Sequence, residues 1–355
     1  MPPKCLVRGN ISTFLLRDCD LVNGTDVASG NSHEAAQSYP IPPEMFESRE
    51  RVRPPSVADI VPTLARQFLA AVEPGSRLPT VRALATQHRS SNSSVHAALG
   101  RLEQGGAIEI ETRGRAGAFL VRRSIGRLWA MMDTGPVVIA HPLASSPRYE
   151  ALATAIKQEM TTAGLEVILM FVRGSRQRLQ AVREGRCHLA AMSSFAANEL
   201  CGADDAVVME LLPNSYNTGH RVFYTRGAES ARPLRVVVDR HSADQQLLTS
   251  LEFVDSEVLI LQAMTAQIAR MLESGEADAA VWTIDEMQTR WPPGVLDRPL
   301  SPPVRERIGD RDTRAVLVGK WVDASVLRAV CEALDPAQIE RIQLDVMAGR
   351  TVPEY

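Results

Sequence analysis

Residues 75–121 read GSRLPTVRALATQHRSSNSSVHAALGRLEQGGAIEIETRGRAGAFLV, and this stretch decides the fold of the N-terminal half of the chain. Thr80 and Ser91 are helix N-cap candidates, because their hydroxyls can accept a hydrogen bond from a free N–H of a first turn. After each of them, apolar residues recur at helical spacing. Residues 108–111 then alternate apolar and acidic, and an apolar run at 119–121 returns after a Gly-rich turn. Two short helices followed by a hairpin wing predict a winged helix-turn-helix.

The second of these helices has an open polar face opposite its apolar stripe. Short polar side chains on such a face suit a helix that lies in a DNA major groove. Asn92 is expected to address an adenine edge or a phosphate, and basic side chains of the neighbouring helix and the wing are expected to contact phosphates. The predicted DNA-binding residues are Arg82, Ser91, Asn92, Ser93, His96, Arg113 and Arg115.

The charge distribution supports the same interpretation. Residues 75–127 contain nine Arg and three Glu, a net charge of +6, whereas the whole chain has a net charge of −3. A basic module on an acidic body is expected when one part of a protein docks on phosphates. A small α+β unit with a solvated Arg face is the alternative.

The same residues resemble the DNA-binding domain of GntR-type bacterial regulators over about fifty positions in order. Such regulators commonly carry Ser-Arg at the start of the recognition helix, where this chain has Ser91-Asn92. The resemblance implies binding to an operator in double-stranded DNA. It rests on Leu78-Pro79-Thr80-x-Arg82-x-Leu84-Ala85, Ser94-Val95, Ala98-Leu99-x-x-Leu102-Glu103-x-x-Gly106 and Gly114-x-x-Gly117-x-Phe119-x-Val121.

The length of 355 residues suits a multidomain chain. Residues 1–55 lack sustained periodicity and are rich in Asn, Ser, Gly and Pro, which predicts a disordered N-terminal extension. The winged domain is expected at 56–121, beginning with a helix that Ser56 caps together with Asp59. Residues 122–134 are expected to form a linker, in which the pattern around residues 128–132 is compatible with a helix. Residues 135–355 are expected to form a two-lobed α/β effector domain.

Composition argues against several classes of protein. No apolar run approaches the roughly 18 residues of a spanning helix, and no secretory signal is recognisable, so a cytoplasmic protein is expected. No phosphate-binding or dinucleotide-binding Gly-rich loop occurs, and neither a cofactor nor a metal site is predicted. Scattered spacing predicts free thiols rather than disulfides or zinc ligands for Cys5, Cys19, Cys187, Cys201 and Cys331.

From residue 136 onward, strand patterns and helix patterns alternate. Such βαβ alternation implies a mainly parallel sheet covered by helices. The segment 179–192 has an echo at 270–282: each is a helix end, a Gly and a strand of small residues, which indicates two similar lobes. In the first copy His188 stands where the second has Asp278, so that position is expected to be structural. The pattern resembles the lobes of type 2 periplasmic binding proteins.

Further motifs resemble the YhfZ family of bacterial transcriptional regulators, from about residue 56 to the C-terminus. That resemblance implies a helix-turn-helix joined to a two-lobed, binding-protein-like domain. The motifs are Arg148-Tyr149-Glu150-x-Leu152-Ala153, Arg173-Gly174, Arg178-Leu179, Asp239-x-x-Ser242-Ala243-Asp244-Gln245, Gly275-Glu-Ala-Asp278-Ala279 and Glu354-Tyr355.

Ligands of doubly wound lobes bind beyond the carboxyl ends of the strands. Serines at helix starts there, together with the Arg173 guanidinium, favour a small anionic or hydroxylated metabolite. For any single serine, a simple N-cap is the favoured explanation. The predicted ligand-binding residues are His141, Ser146, Tyr149, Arg173, Ser193, Asp239, Ser242 and Trp282.

The sequence as a whole predicts a transcriptional regulator, not an enzyme, whose operator affinity responds to this metabolite. A homodimer is expected, because a single winged module has a small footprint on DNA. An enzyme built on the two-lobed fold, acting on a small anionic metabolite, is the alternative. A solute-binding protein is a third interpretation, which the lack of a recognisable signal peptide disfavours.

Overall fold

The computed structural model describes residues 55–228, 233–288 and 291–355. The extension predicted for residues 1–55 lies, apart from its last residue, outside these ranges. No helix in the described part of the chain is long and apolar enough to span a membrane.

The first elements form the predicted winged helix-turn-helix. The Thr80 hydroxyl accepts from the backbone N–H of Ala83 at 3.1 Å, and the Ser91 hydroxyl accepts from that of Ser94 at 3.0 Å, so both N-caps are confirmed. The backbone N–H of Ser56 donates to Asp59 Oδ2 at 2.8 Å. The elements are α1 (Val57–Ala71), α2 (Val81–Gln87), α3 (Asn92–Gln104) and the antiparallel wing strands β1 (Ile108–Thr112) and β2 (Ala118–Arg123).

A short helix then leads into the first of two α/β lobes. The sheet of this first lobe has the strand order β4-β3-β5-β12-β6 once its strands are numbered along the chain. The elements are α4 (Ile125–Met131), β3 (Val137–His141), α5 (Pro147–Thr162), β4 (Val167–Phe171), α6 (Ser175–Arg183), β5 (Leu189–Ser193), α7 (Ser194–Leu200), β6 (Asp205–Glu210) and, from the C-terminal end, β12 (Ala315–Lys320), α12 (Ala324–Cys331) and α13 (Pro336–Met347).

The second lobe repeats this plan, with the strand order β11-β7-β10-β8-β9. Its elements are β7 (His220–Thr225), β8 (Leu234–Val238), α8 (Ala243–Glu252), β9 (Val258–Gln262), α9 (Thr265–Glu273), β10 (Ala279–Thr283), α10 (Ile284–Gln288), β11 (Val295–Pro299) and α11 (Pro302–Ile308). The predicted fold class, an α+β winged domain followed by a two-lobed α/β domain, is therefore confirmed.

Both sheets are mixed rather than mainly parallel. In the first lobe β3 pairs in parallel with β4 and β5, but β12 is antiparallel to β5 and β6. In the second lobe β7 is likewise antiparallel to β10 and β11. The reason is topological: β12 and β7 each arrive from the opposite lobe. The two crossing segments, 211–219 and 309–314, are the connections between the lobes.

The internal echo has a direct structural basis. In the second lobe Asp278 Oδ2 accepts from the backbone N–H of Arg235 at 2.8 Å, which ties β10 to the start of β8. In the first lobe His188 Nδ1 accepts from the backbone N–H of Val138 at 3.0 Å, at the equivalent place. His188 and Asp278 thus each accept a backbone hydrogen bond at equivalent positions of the two lobes, in agreement with the structural role expected at this position.

The winged domain and the first lobe share one continuous core. Buried side chains of α1, α4 and α12 belong to a single cluster that includes Phe68, Leu128 and Leu327. The expected linker at 122–134 contains the end of β2 and helix α4, which includes most of the segment noted as helical, and Leu128 and Trp129 of α4 are buried. Its apolar side chains pack because they lie at helical spacing against α1. The winged domain is therefore fixed to the first lobe.

Arg123 reinforces this junction from within. Its guanidinium, 4% exposed, donates to the carbonyls of Leu69 at 3.1 Å and Val72 at 2.9 Å at the C-terminal end of α1. It also pairs with Glu332 at 2.7 Å, at the end of α12. Arg66 and Asp323 form a second ion pair across the junction.

The three cysteines within the described ranges are free thiols, as predicted. Cys187 and Cys331 are buried and Cys201 is half-buried. Burial raises the pKa of the Cys331 thiol to about 12. Cys5 and Cys19 lie outside the described residues.

The junction gives a test with a matched control. A Cβ added to Gly126 in α4 would lie 2.3 Å from the carbonyl oxygen of Gly164, whereas one added to Gly100 in α3 would meet nothing within 4 Å. We expect Gly126→Ala to lower the free energy of unfolding by about 1–3 kcal/mol, because backbone must move. Gly100→Ala should raise it by roughly 0.5–1 kcal/mol, because Ala is the better helix former. Urea denaturation of both variants checks this, and equal effects would contradict the close packing at α4.

Candidate functional site

The open face of α3 is available to a nucleic acid. Asn92, Ser93 and His96 are exposed, while Val95, Ala98 and Leu102 on the opposite side are buried. Ser91 caps α3, and its hydroxyl lies 2.8 Å from those of Ser93 and Ser94. The structure thus places these four predicted DNA-binding residues at one end of one helix.

The nine arginines of the winged region divide into two groups. Some have protein partners: Arg113 pairs with Glu111 at 2.7 Å and lies over the Phe119 ring at 4.6 Å, and Arg127 donates to the Gly105 carbonyl at 2.7 Å. The other group is exposed and forms no ion pair with any residue of the described ranges. It contains the predicted Arg82 and Arg115, and also Arg77, Arg89 and Arg101, which the sequence prediction did not include.

A cleft between the two lobes encloses a cavity of about 330 Å³. It is lined from both sides by residues that follow strand ends or begin helices, as expected for this fold. The structure brings five of the eight predicted ligand-binding residues together in its wall: Tyr149, Arg173, Asp239, Ser242 and Trp282.

The other three predicted residues do not line the cavity. His141 is fully buried, its Nδ1 lies 2.9 Å from the Pro142 carbonyl, and burial lowers its pKa to about 3, so it stays neutral. Ser146 is the N-cap of α5. Ser193 caps α7 and donates to Asp244 Oδ1 at 2.5 Å. Ser146 and Ser193 thus both lie at helix N-caps, which agrees with the simple N-cap explanation.

Arg173 and Asp239 form an ion pair across the mouth of the cleft. Arg173 Nη2 donates to Asp239 Oδ1 at 2.8 Å and Nε donates to Oδ2 at 3.1 Å. Burial alone would raise the pKa of Asp239, but the Arg173 guanidinium and the N–H groups of His241 and Thr265 hold it below its usual range. The Arg173 guanidinium, which was expected to bind a ligand, therefore binds the Asp239 carboxylate of the opposite lobe.

Other bonds join the lobes in the same conformation. Arg148 pairs with Asp285 at 3.1 Å, Ser145 bonds Glu286, and the Ser175 hydroxyl accepts from the backbone N–H of Ala243 at 3.4 Å. Gly174 lies so close to the second lobe that an added Cβ would be 2.3 Å from the His241 carbonyl. The structure is thus a closed form of the cleft.

The floor of the cleft is formed by the two crossing segments. The amide of Asn217 donates to the Asp312 carbonyl at 3.0 Å, and His220 Nδ1 lies 2.8 Å from Asp312 Oδ2. Burial opposes the charged imidazole, but the Asp312 carboxylate raises the pKa of His220 above its ordinary value. This pair ties the two lobe connections together beneath the cavity.

Sequence reasoning assigned no role to Arg178, although it lines the cavity. Its side chain is 3% exposed and donates to the carbonyls of Ala191 at 2.8 Å and Val172 at 2.9 Å and to the Tyr216 hydroxyl at 2.8 Å. All three partners are neutral, and no described carboxylate pairs with it. The sequence signal that could have identified Arg178 as a cleft residue was its position in the first turn of α6, because this helix begins at the cleft.

Comparison with known proteins accords with this architecture. Residues 125–355 match the family described as the YhfZ C-terminal domain, and residues 65–119 match the bacterial regulatory proteins of the gntR family. The chain belongs to the YhfZ family. It is 30% identical to the YhfZ protein of Escherichia coli (strain K12) over 297 residues, which is 83% of this chain and 96% of that protein.

A solved structure of this family is similar to the chain. The crystal structure of YhfZ from Shigella flexneri has a TM-score of 0.54 and 26% identity, and covers 65% of this chain and 98% of that chain. The family matches and this structure show a GntR-type DNA-binding regulator with a YhfZ C-terminal domain. Among other solved structures, the periplasmic VFT2 domain of BvgS from Bordetella pertussis has a TM-score of 0.40 and 16% identity, and covers 59% of this chain and 91% of that domain.

The ion pair at the cleft mouth gives a pH-dependent prediction. Because the pKa of Asp239 is lowered on folding, the pair stabilises the protein above the unfolded value of about 3.9 and is lost as pH falls through the folded value. Arg173→Ala should therefore lower the free energy of unfolding by about 1–3 kcal/mol at neutral pH, a difference that shrinks in acid. It should also increase the radius of gyration measured by small-angle X-ray scattering.

Arg186→Ala is the control for this measurement. Arg186 is exposed and pairs with Glu184 within the first lobe, so its removal should change stability by at most about 0.5 kcal/mol. An Arg173→Ala effect that persists unchanged into the acid range would show that the ion pair is not its source.

Proposed function

We propose that this regulator binds operator DNA with an affinity set by a small molecule in the interlobe cleft. The observation that carries the proposal is Arg178, a buried guanidinium that lines the cavity without a carboxylate partner in the described part of the chain. Leaving a buried charge uncompensated costs several kcal/mol, so a bound anionic group would relieve a standing penalty.

The ligand proposed is small and carries an anionic group together with hydroxyl or other polar groups. Arg178 presents planar N–H donors suited to a carboxylate or phosphate. Hydroxyls of Ser242 and Thr265 and the side chains of Tyr149 and Trp282 surround the same space. A cavity of about 330 Å³ suits a small metabolite rather than a polymer.

The proposed signal passes through the second lobe. Because the winged domain and the first lobe share one core, a ligand that bridges the cleft changes mainly the position of the second lobe relative to that unit. A ligand alters DNA affinity only through its differential affinity for two conformations, typically worth about 1–3 kcal/mol.

We further propose a homodimer that reads two half-sites of an operator. A two-fold dimer would place its half-sites one helical turn apart or a multiple of it. Movement of the second lobe can then change the separation of the two winged domains. Because the proposed partner is operator DNA, we also propose that the protein is located in the cytoplasm.

The first test concerns DNA. In the proposed interface Arg82 contacts a phosphate, so Arg82→Ala should weaken binding to all sequences alike and lower the salt slope by about one. Arg186→Ala, which changes an exposed arginine of the first lobe, is the matched control. Fluorescence anisotropy at several salt concentrations measures both. Equal slopes for wild type and Arg82→Ala would contradict the proposed interface.

The second test concerns specificity. Selection from random duplexes with the purified full-length protein should enrich one palindrome. Asn92→Ala should relax preference at one base position of each half-site, at a cost of roughly 1–3 kcal/mol, because a bidentate contact to a base edge is lost. An unchanged motif would show that Asn92 contacts only the backbone.

A further inference from the structure

Two buried charges of opposite sign face the cleft without forming an ion pair. Arg178 lies in the first turn of α6 in the first lobe, and Asp244 lies in the first turn of α8 in the second lobe. Both line the cavity and both are almost fully buried. Within the described ranges neither pairs with the other, nor with any other charged side chain.

Arg178 and Asp244 each have hydrogen-bonding groups that no described residue uses. Three of the five N–H donors of Arg178 are used, all by neutral oxygens. Asp244 accepts from the Ser193 hydroxyl through Oδ1, and its Oδ2 has no hydrogen-bond partner among the described residues. Both groups therefore offer further hydrogen bonds to an occupant of the cavity.

Three pairs of oppositely charged groups around the cleft bind each other, and the Glu286 carboxylate accepts from the Ser145 hydroxyl and the Trp282 indole N–H. Arg173 pairs with Asp239, Arg148 pairs with Asp285, and His220 pairs with Asp312. The carboxyls differ accordingly: Arg173 lowers the pKa of Asp239, whereas burial raises that of Asp244. Arg178 and Asp244 form no ion pair among the described residues, although the charges of His220 and Arg178 oppose the effect of burial on the pKa of Asp244.

We infer that the ligand is a small zwitterion, a molecule of the amino acid type whose carboxylate binds Arg178 and whose protonated amine binds Asp244. This inference rests on the proposed function, in which the cleft holds the effector. Because the two charges lie on opposite lobes, one ligand engages both only when the cleft is closed. Binding of the ligand through both of its charged groups therefore requires the closed cleft.

Simpler ligands leave one charge unsatisfied. A monocarboxylate would leave Asp244 without a directly bound cation, and an amine would leave Arg178 without a directly bound anion, so each would bind more weakly than a ligand that carries both charges. A metal ion is not suggested, because no group of three or more His, Cys, Asp or Glu side chains in the described residues is placed to hold one.

The experiment measures binding to the full-length protein by isothermal titration calorimetry. The probes are the proteinogenic α-amino acids with β-alanine, γ-aminobutyrate and 5-aminovalerate, and matched compounds that lack one charge: propionate, butyrate, valerate and the corresponding alkylamines. We expect at least one amino acid to bind saturably. Its matched carboxylate and its matched amine should bind at least about tenfold more weakly, since each loses one charged contact.

Variants then assign each end of the ligand. Asp244→Asn keeps the side-chain shape and the acceptor for Ser193, so it should weaken the best amino acid at least about tenfold while weakening its matched carboxylate much less. Arg178→Lys should weaken the amino acid and the carboxylate together. Glu184→Gln, at an exposed position of the first lobe, should leave binding unchanged.

Three results would overturn the inference. They are a matched carboxylate or amine that binds the wild type as tightly as the amino acid, an Asp244→Asn variant with unchanged amino acid affinity, and no binding by any amino acid. The wild-type series does not depend on whether the variants fold. If an amino acid binds but leaves operator affinity unchanged in anisotropy, the proposed function fails and the zwitterion site stands.

Discussion

The packing of α1 against α4 and α12 is the constraint on which the rest of the structure depends. Side chains of the winged domain and of the first lobe share one core, and Arg123 binds the end of α1 and Glu332 together. A hinge between these parts would have to expose that apolar surface to water, which is costly. Relative movement of the two lobes would therefore have to take place at the connections 211–219 and 309–314.

Closure of the cleft follows from the placement of charges on either side of these connections. Arg173 and Asp239 can pair only when the lobes meet, and so can Arg148 and Asp285. These pairs stabilise closure without a ligand, but each is made by groups that water would solvate well in the open form, so their net contribution is modest. Arg178 and Asp244 form no ion pair in this conformation. In the proposed function, an occupant that binds both would stabilise the closed cleft.

Much of the fold could be predicted because its signals are local. The caps at Thr80 and Ser91, the stripe of α3 and the repeated helix–Gly–strand segments are all encoded within a few residues. The antiparallel β12 and β7 were missed because their pairing depends on chain crossings that periodicity does not report. The helix noted around residues 128–132 of the expected linker lies mostly within α4, but its periodicity could not show that Leu128 and Trp129 pack into the core that the winged domain shares with the first lobe.

The site was predicted in part for the same reason. Strand ends and helix starts located the cleft, which placed Tyr149, Arg173, Asp239, Ser242 and Trp282 in its wall. Sequence position could not show that Arg173 would meet a carboxylate of the other lobe, or that Arg178 would not meet one. Whether an arginine serves the fold or a ligand depends on its partners in space.

That distinction applies to the whole chain. In the winged region Arg123 and Arg127 bind carbonyl groups and Arg113 binds Glu111. The net charge of the segment is therefore larger than the positive charge that remains unpaired and accessible to DNA. Arg82 and Arg115 are exposed and unpaired within the described ranges, where phosphates can reach them. Arg178 is unpaired but buried, where only a small ligand can reach it. Under the proposed function, the location of each unpaired arginine therefore determines whether its anionic partner is a DNA phosphate or a small ligand.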